Sequence, residues 1–544
     1  MHRLAFLSFV FCLFCSSTLC QDEASLKPDK AFENKNYPAA IQGYERQLKK
    51  NPQDYDSQLH LGICYLESYV DPKKSIKVLE KIKDRKDNDF EVLFYLGQAY
   101  HLNYKFDEAI STYQMLADST SDSAAIKIAK RQIEMCKSGK RLLSQPVDVT
   151  LHNLGDTINS SAPDYNVFIN EDESMMVFST QRKKRNKAEG PSSDGNYTAD
   201  IFISYYEEGA WQKMKSQSKV CTPTHEEIVG LSADGTLMFI NVNGRGVKGE
   251  MVIAKRKSGS FKTPIKMEKT VNTKATEMTT TVTQDRQKLY YGSNRNGGFG
   301  GFDLYEAKRL PDLNWGQSKT LGDQINTPYN ELYPQLSPDE KTLYFASEGH
   351  NSMGGYDLFR SDWDDKTQSW GPPKNLGYPI NTPFDDMHFS INANGSVGYI
   401  STYRGDSRGD LDIYSVTFNG TESRKSVITG QILVDATIDY TGAPGNLNKS
   451  KTTVPVPIKT ALLDVYNQMG DLVGSYATNS SSGNFVLALP PGKYSVELIV
   501  DQYTAAPIPL HVFGKGAFEA FIQKNFEIQL DGNPITVPYT QLNK

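Results

Sequence analysis

Short apolar runs separated by turn residues dominate the middle of the chain, and residues 321–375 show the unit most clearly. Ser337-Pro338-Asp339-Glu340 predicts a tight turn, and Leu343-Tyr344-Phe345-Ala346-Ser347 predicts a strand of apolar and aromatic residues. Gly354-Gly355 marks a second turn, Tyr356-Asp357-Leu358-Phe359 the next strand, and Ser369-Trp370-Gly371 closes the unit. The pattern restarts at Leu376-Gly377 and is also present in residues 271–316, 226–261 and 154–211. Asp200, Asp303, Asp357 and Asp412, with Glu250 in the second unit, recur at roughly 50–55 residues, the period of a propeller or array. Five units are counted, so five blades are expected. The alternative is a degenerate sixth, assembled from Asp148-Val149-Thr150 and the end of the array. The repeated aspartate is either a binding or a structural residue; a side chain wanted in every blade serves the blade, which favours the second.

Residues from about Lys30 to Lys137 carry helical spacing with a repeat of about 34–36 residues. Leu93, Leu96-Gly97 and Tyr100 fall on one helix of the clearest repeat, and Ala109, Tyr113 and Leu116 on its partner. Leu61-Gly62, Tyr65, Ser75 and Leu79 form a second repeat, and Ala40, Tyr44 and Pro52 a partial first one. Residues 123–136 predict a more polar capping helix, with a short basic linker at 137–145. Beyond a polar linker at 421–426 the chain turns to alternating strands, among them Phe485-Val486-Leu487 and Tyr494-Ser495-Val496 around a Pro490–Lys493 turn. Residues 441–453 read as an insertion and 531–544 as a tail.

Three resemblances follow. SPDEKTLYFAS with GGYDLF resembles the WD40-like propeller repeat PD40, and the helical repeats resemble tetratricopeptide repeats. Thr429-Gly430-Gln431-Ile432, Ser482-Gly483-Asn484-Phe485 and Leu489-Pro490-Pro491-Gly492-Lys493-Tyr494 resemble the carboxypeptidase regulatory-like domain, a transthyretin-like β-sandwich. The fold class implied is multidomain α plus all-β: a helical solenoid over 24–140, a five-bladed (or six-bladed) propeller over 146–419 and a β-sandwich over 427–530. The tetratricopeptide resemblance implies a concave partner-binding groove lined by Leu59, Ile63, Leu66, Phe94, Gln98, His101 and Leu102. The competing expectation is a short array packed against the propeller. The order of parts resembles the PorE-like family of periplasmic proteins of the Bacteroidota type IX secretion system. That family's OmpA-like peptidoglycan-binding domain has no counterpart in residues 1–544, so peptidoglycan anchoring is not expected.

Bulk composition narrows the classes. A formal charge of −5 over 544 residues, without a basic stripe carrying aromatics, argues against nucleic acid. Met1-His2-Arg3, the apolar residues 4–19 and the polar Gln21-Asp22-Glu23 predict a secretory leader, residues 1–20, cleaved after Cys20. An acylated Cys20 or Cys15 is the alternative, but Leu19 and Phe14 precede them where a small residue is usual. An exported chain at the periplasm or outer membrane, attached peripherally or through partners, is therefore expected. Cys64, Cys136 and Cys221 remain, too few for a disulfide scaffold. The basic run in residues 181–198 reads as a surface insertion or a site for an acidic partner.

Motif chemistry is sparse. No Gly-x-Ser-x-Gly elbow or Walker loop occurs, and Gly297-Gly298-Phe299-Gly300-Gly301 reads as a blade turn. Cys221, His225, Glu226 and Glu227 lack a matching second ligand pair for zinc, and Asp362, Asp364 and Asp365 read as an acidic hairpin tip. Carboxylate pairs for glycoside hydrolysis need only proximity in space, but the strands leave no obvious unshared inward carboxylate. The expectation is a scaffold without catalytic residues, metal or cofactor, binding secretion-system or outer-membrane proteins. The alternatives are a glycan-binding or glycan-cleaving protein using the propeller mouth, and a TolB-like partner of a Pal-type lipoprotein.

Overall fold

The computed structural model describes residues 27–538 apart from 69–70, 86–89, 184–189, 218, 223–224, 245–246, 393–394, 420–425, 440–452, 491, 501–502, 505, 513–520 and 529–534. The leader, and most of the 441–453 insertion, lie outside the described residues.

Seven helices come first among them: α1 (Pro28–Glu33), α2 (Tyr37–Lys50), α3 (Tyr55–Glu67), α4 (Pro72–Leu79), α5 (Phe90–Leu102), α6 (Phe106–Asp118) and α7 (Ser123–Ser144). Each packs on the next. Asn36, Asp71 and Asp122 accept first-turn backbone N–H groups of α2, α4 and α7, so the helix starts are written locally. The repeat shows in the bonds: Tyr65 donates to Glu45 and Tyr100 to Glu80, both at 2.6 Å and 35 residues apart. A Cβ at Gly97 would lie 2.6 Å from the Tyr113 ring, which explains a glycine inside a helix. Cys64 and Cys136 are buried small hydrophobes whose thiols burial pushes up to about 12. The expected basic linker is helical instead: α7 runs on to Ser144 because Gly139 lets the Phe106 ring close on it.

Five sheets follow in a closed ring. Their inner strands are Asp164–Ile169, His225–Leu231, Glu277–Val282, Glu331–Leu336 and Asp386–Ile391, each against the inner strand of the next sheet and the fifth against the first. The middle of the chain is a β-propeller. The strand Val149–Asn153 pairs antiparallel with Asp412–Phe418 and is the outermost strand of the fifth blade. It is thus not the seed of a sixth blade.

Two side-chain devices recur from blade to blade. The motif aspartates are structural: Asp357 accepts from the N–H groups of Met353 (2.9 Å) and Gly354 (3.2 Å) and from Asn375 (2.7 Å). Asp303 and Asp412 bind the backbone of their own preceding turns in the same way. Glu250, the outlier, pairs with Lys266 at 2.6 Å. The glycine three residues earlier is forced by close approach, since a Cβ at Gly300, Gly354 or Gly409 would stand 1.8, 2.3 or 2.8 Å from a carbonyl oxygen of the following blade.

The second device is an asparagine before each inner strand. Asn381 accepts from the Leu358 N–H and donates to its C=O, both at 2.8 Å. Asn159, Asn272 and Asn326 do the same to Ile413, Met251 and Leu304. At the fifth such position stands Cys221, whose Sγ meets the Ile201 N–H at 3.3 Å and C=O at 3.7 Å. Sulfur is a weak partner here, so Cys221→Asn should stabilise the protein by about 1 kcal/mol, read as a higher midpoint in thermal unfolding.

Two further sheets share a core of Ile428, Ile432, Leu463, Val465, Phe485, Leu487 and Val496. The expected 531–544 tail is partly strand: Ile535–Pro538 pairs parallel with Ser426–Asp439, whose length leaves a free ladder there. Lys493 reaches Asp172 of the propeller at 3.2 Å. No helix among the described residues is long and apolar enough to cross a membrane.

Candidate functional site

The site is built where the helical layer meets the propeller. In the first, third and fifth blades an arginine after the second strand (Arg182, Arg295, Arg404) pairs with the carboxylate that opens the inner strand (Asp164, Glu277, Asp386). These three arginines are therefore blade parts, and Arg182 is no free end of a basic loop. In the fourth blade that place falls to Gly349, and Arg131 of α7 arrives at the same bend. Its guanidinium donates to the carbonyls of Glu348 (2.5 Å), Gly349 (3.0 Å) and His350 (3.3 Å) and lies 4.6 Å from the Tyr329 ring centre. His101 Nε2 meets the Met353 carbonyl at 2.7 Å; burial lowers its pKa to about 4, so the ring is neutral and donates.

The groove expected from the helical repeats is accordingly not an open one. Leu59, Ile63, Leu66 and Leu102 are buried in a core that includes Met353 of the propeller, and His101 is spent on Met353. Phe94 and Gln98 are half-buried. Large residues on a helix face serve a docked domain as well as a docked peptide, and here the domain is the chain's own.

Beneath this seam the C-terminal end of α3 brings Glu67 within electrostatic reach of Asp385 in the propeller, and Asp385 lies within reach of Glu348. Burial raises Glu348 to about 8, with Asp385 adding to it, Asn330 donating at 2.6 Å and Arg131 opposing. Burial likewise raises Asp385 to about 6 and Glu67 to about 7, where Lys35 opposes and Asp385 adds. All three are largely buried yet keep some accessible surface. Near Tyr333, His225 Nε2 (3.1 Å) and the Tyr165 hydroxyl both donate to Glu227. The Ala199 N–H donates to His225 Nδ1 at 3.0 Å, fixing the Nε2–H tautomer. Burial works against an ionised Glu227, but His225 and the two donated bonds prevail and lower its pKa. Between the two sides stand Tyr333, its ring 3.8 Å from His388 and 6.2 Å from Tyr356.

Sequence reasoning missed Glu348 and Asp385 although a signal existed. The sister blades carry Gln181, Asn294 and Tyr403 at the first position, and Pro163, His225, Thr276 and Asn330 at the second, so both carboxylates are unshared. Of Cys221, His225, Glu226 and Glu227, Cys221 faces Ile201, while His225 serves Glu227. The Asp362, Asp365 tip is ion-paired with Lys374 and Lys341.

The raised carboxyls carry a pH signature. Glu67, Asp385 and Glu348 bind protons more tightly folded than unfolded, so their contribution is whole below about pH 4 and is lost as pH rises through about 6 to 8. His101 acts oppositely, losing its contribution as pH falls from 6.5 towards about 4. The melting temperature should therefore decline from mildly acidic pH to pH 8, and Glu348→Gln should flatten that slope in a pH series of thermal scans.

No family model matches the chain, and no curated protein does. Solved structures similar to it are propellers. A TolB from Agrobacterium tumefaciens is 15% identical, with 57% of this chain and 88% of that one covered and a TM-score of 0.25. An α-L-arabinanase from Penicillium chrysogenum is 11% identical (49% and 98% covered, TM-score 0.29). A β-xylosidase/α-arabinofuranosidase from a compost microbial metagenome is 10% identical (49% and 93%, TM-score 0.32). The expectation of a chain that performs no reaction does not stand: paired carboxylates leave no sequence motif whose absence could exclude a reaction.

Proposed function

We propose that the carboxyl-lined seam between the helical layer and the propeller mouth binds a neutral saccharide of the cell envelope and cleaves it with acid–base help from separated carboxyls. The observation that carries this reading is the placing of Glu227 and Asp385 about the Tyr333 ring, with Glu227 accepting from His225 and Tyr165 and Glu348 taking the Asn330 amide; burial raises Glu348 to about 8, while its donors lower Glu227. Two carboxyls pushed apart in protonation are the pairing that glycoside cleavage needs, one to donate to the leaving oxygen and one to serve as base or nucleophile. Tyr333, half-buried, adds an aromatic face for a sugar ring. The envelope as its place rests on the leader-like N-terminus and on the resemblance to periplasmic proteins built in the same order. A scaffold role in secretion is less favoured, because the helical surface that would take a partner is occupied by the propeller.

The test is purified full-length protein incubated with arabinan, xylan, cellulose, chitin and peptidoglycan fragments, reading new reducing ends and calorimetric binding. Wild type should release product from one of them. Glu348→Gln should lose release by about 100-fold or more while keeping affinity within a few-fold. Neither binding nor release across the panel would sink the proposal.

A further inference from the structure

Three blade turns are built alike. Asp303, Asp357 and Asp412 each accept from the N–H groups of the residues four and three places before them: Phe299 and Gly300, Met353 and Gly354, Arg408 and Gly409. Phe299, Met353 and Arg408 therefore hold one position in their blades, yet their surroundings differ. Met353 is fully buried in the core of the helical layer, and its carbonyl takes His101. Arg408 is charged and pairs with Asp156. Phe299 is 45% exposed, on a turn (residues 296–301) that is exposed throughout, whereas its counterpart, 350–355, is buried or half-buried. The glycines on either side of Phe299 add no side chain beside the ring, and the bonds to Asp303 hold the turn in place.

The neighbouring helix is charged on its free face. A Cβ at Gly300 would stand 1.8 Å from the Tyr329 carbonyl oxygen, and Arg131 of α7 lies over the Tyr329 ring, so α7 runs next to the Phe299 turn. Lys127, Lys130, Lys137 and Arg141 are exposed on α7, and their spacing puts them on one stripe of a helix. None of the four pairs with a carboxylate among the described residues, and Glu134 in the same stripe pairs with Arg131. A polar outer face suits the last helix of a repeat array, which accounts for the lysines. It does not account for an aromatic ring held out beside them.

We propose that the Phe299 turn and the basic stripe of α7 together seat an acidic amphipathic helix of a partner protein. That helix lies along α7 as a further member of the layer and closes its aliphatic face over the ring. The seat repeats what the chain already does at Met353, where its own helices cover the same turn of the next blade. Charge sets the partner's chemistry: cations at helical spacing match glutamates or aspartates at the same spacing, and they repel the equally basic α7 of a second copy. Neither Phe299 nor the stripe belongs to the carboxyl seam, so the seat stands without the glycan reading.

The probe is a labelled, stapled peptide of about 18 residues with leucine on one face and glutamate on the other; a twin carries lysine for each glutamate. Fluorescence anisotropy against the full-length protein should show the acidic peptide binding at least about 10-fold tighter than the twin at low salt, and more weakly as salt is raised. Phe299→Ser should weaken it by about 10-fold or more. Because the ring is exposed, the same variant should melt with wild type. Lys127→Glu combined with Lys130→Glu should also weaken the peptide. Failure of the acidic peptide to bind, equal affinity for wild type and Phe299→Ser, or no preference over the twin overturns the proposal. So does sedimentation showing wild type paired with itself and Phe299→Ser as a monomer, since the ring would then serve a second copy.

Discussion

Arg131→Ala should uncouple the helical layer from the propeller, with a loss of about 3–5 kcal/mol. The guanidinium is mostly buried and its fork serves three backbone carbonyls in one bend, so truncation strips those acceptors of a charged donor. Arg131→Lys should recover little, since a point charge cannot span three acceptors. Urea unfolding followed by intrinsic fluorescence reads the loss. Limited proteolysis should show cleavage near residue 145 appearing in the variant before the propeller itself is cut. A variant as stable and as resistant as wild type would mean that His101 and the apolar seam suffice without the arginine.

The second large effect is expected at Asn381. Its amide pairs with both backbone groups of Leu358, and its nitrogen also donates to Asn375 at 2.8 Å. All of this is buried, so Asn381→Ala should cost about 2–4 kcal/mol by leaving an N–H and a C=O unpaired. Asn381→Asp keeps an acceptor for the N–H but places a carboxylate against the carbonyl, and should be no better. Denaturant midpoints of the two variants against wild type give the comparison. An Asn381→Ala protein within about 0.5 kcal/mol of wild type would show that water enters and takes over both bonds.

The blades were legible because their information is local. The apolar strands, the glycine turns and the aspartate before each third strand sit within a few residues of the groups they bind, as Asp357 with Met353 and Gly354 shows. The asparagine staple was equally written, as Asn-Ser/Thr with a carboxylate four residues after the Ser/Thr, in Asn159, Asn272, Asn326 and Asn381, but its partner lies on another blade's strand, the preceding one for the last three and the final one, at Ile413, for Asn159. Docking of the helices on the propeller stood only as the competing expectation, because the sequence does not say which residues meet. Leu59, Ile63 and His101 have the character of a groove whether a peptide or the propeller fills it, and Glu67 meets Asp385 more than 300 residues away. The candidate site inherits that difficulty: Glu227, Glu348, Asp385 and Glu67 come from three separate parts of the ring and one helix. Comparing the units with one another, position by position, marks Glu348 and Asp385 as odd, and nothing in a single unit does.

The way the ring is closed has a mechanical consequence. The chain enters the propeller at Val149 and leaves it at Phe418, and these two residues face each other at one end of a ladder of five residue pairs. Asp148 and Asn419 just outside clasp each other at 2.9 and 3.1 Å. Tension applied between the helical end and the C-terminal sheets would therefore load that clasp first and peel the rungs singly, like a zipper, rather than shear them together. A pull of this kind should open the fifth blade at low force and free the mouth from its cover in the same stroke.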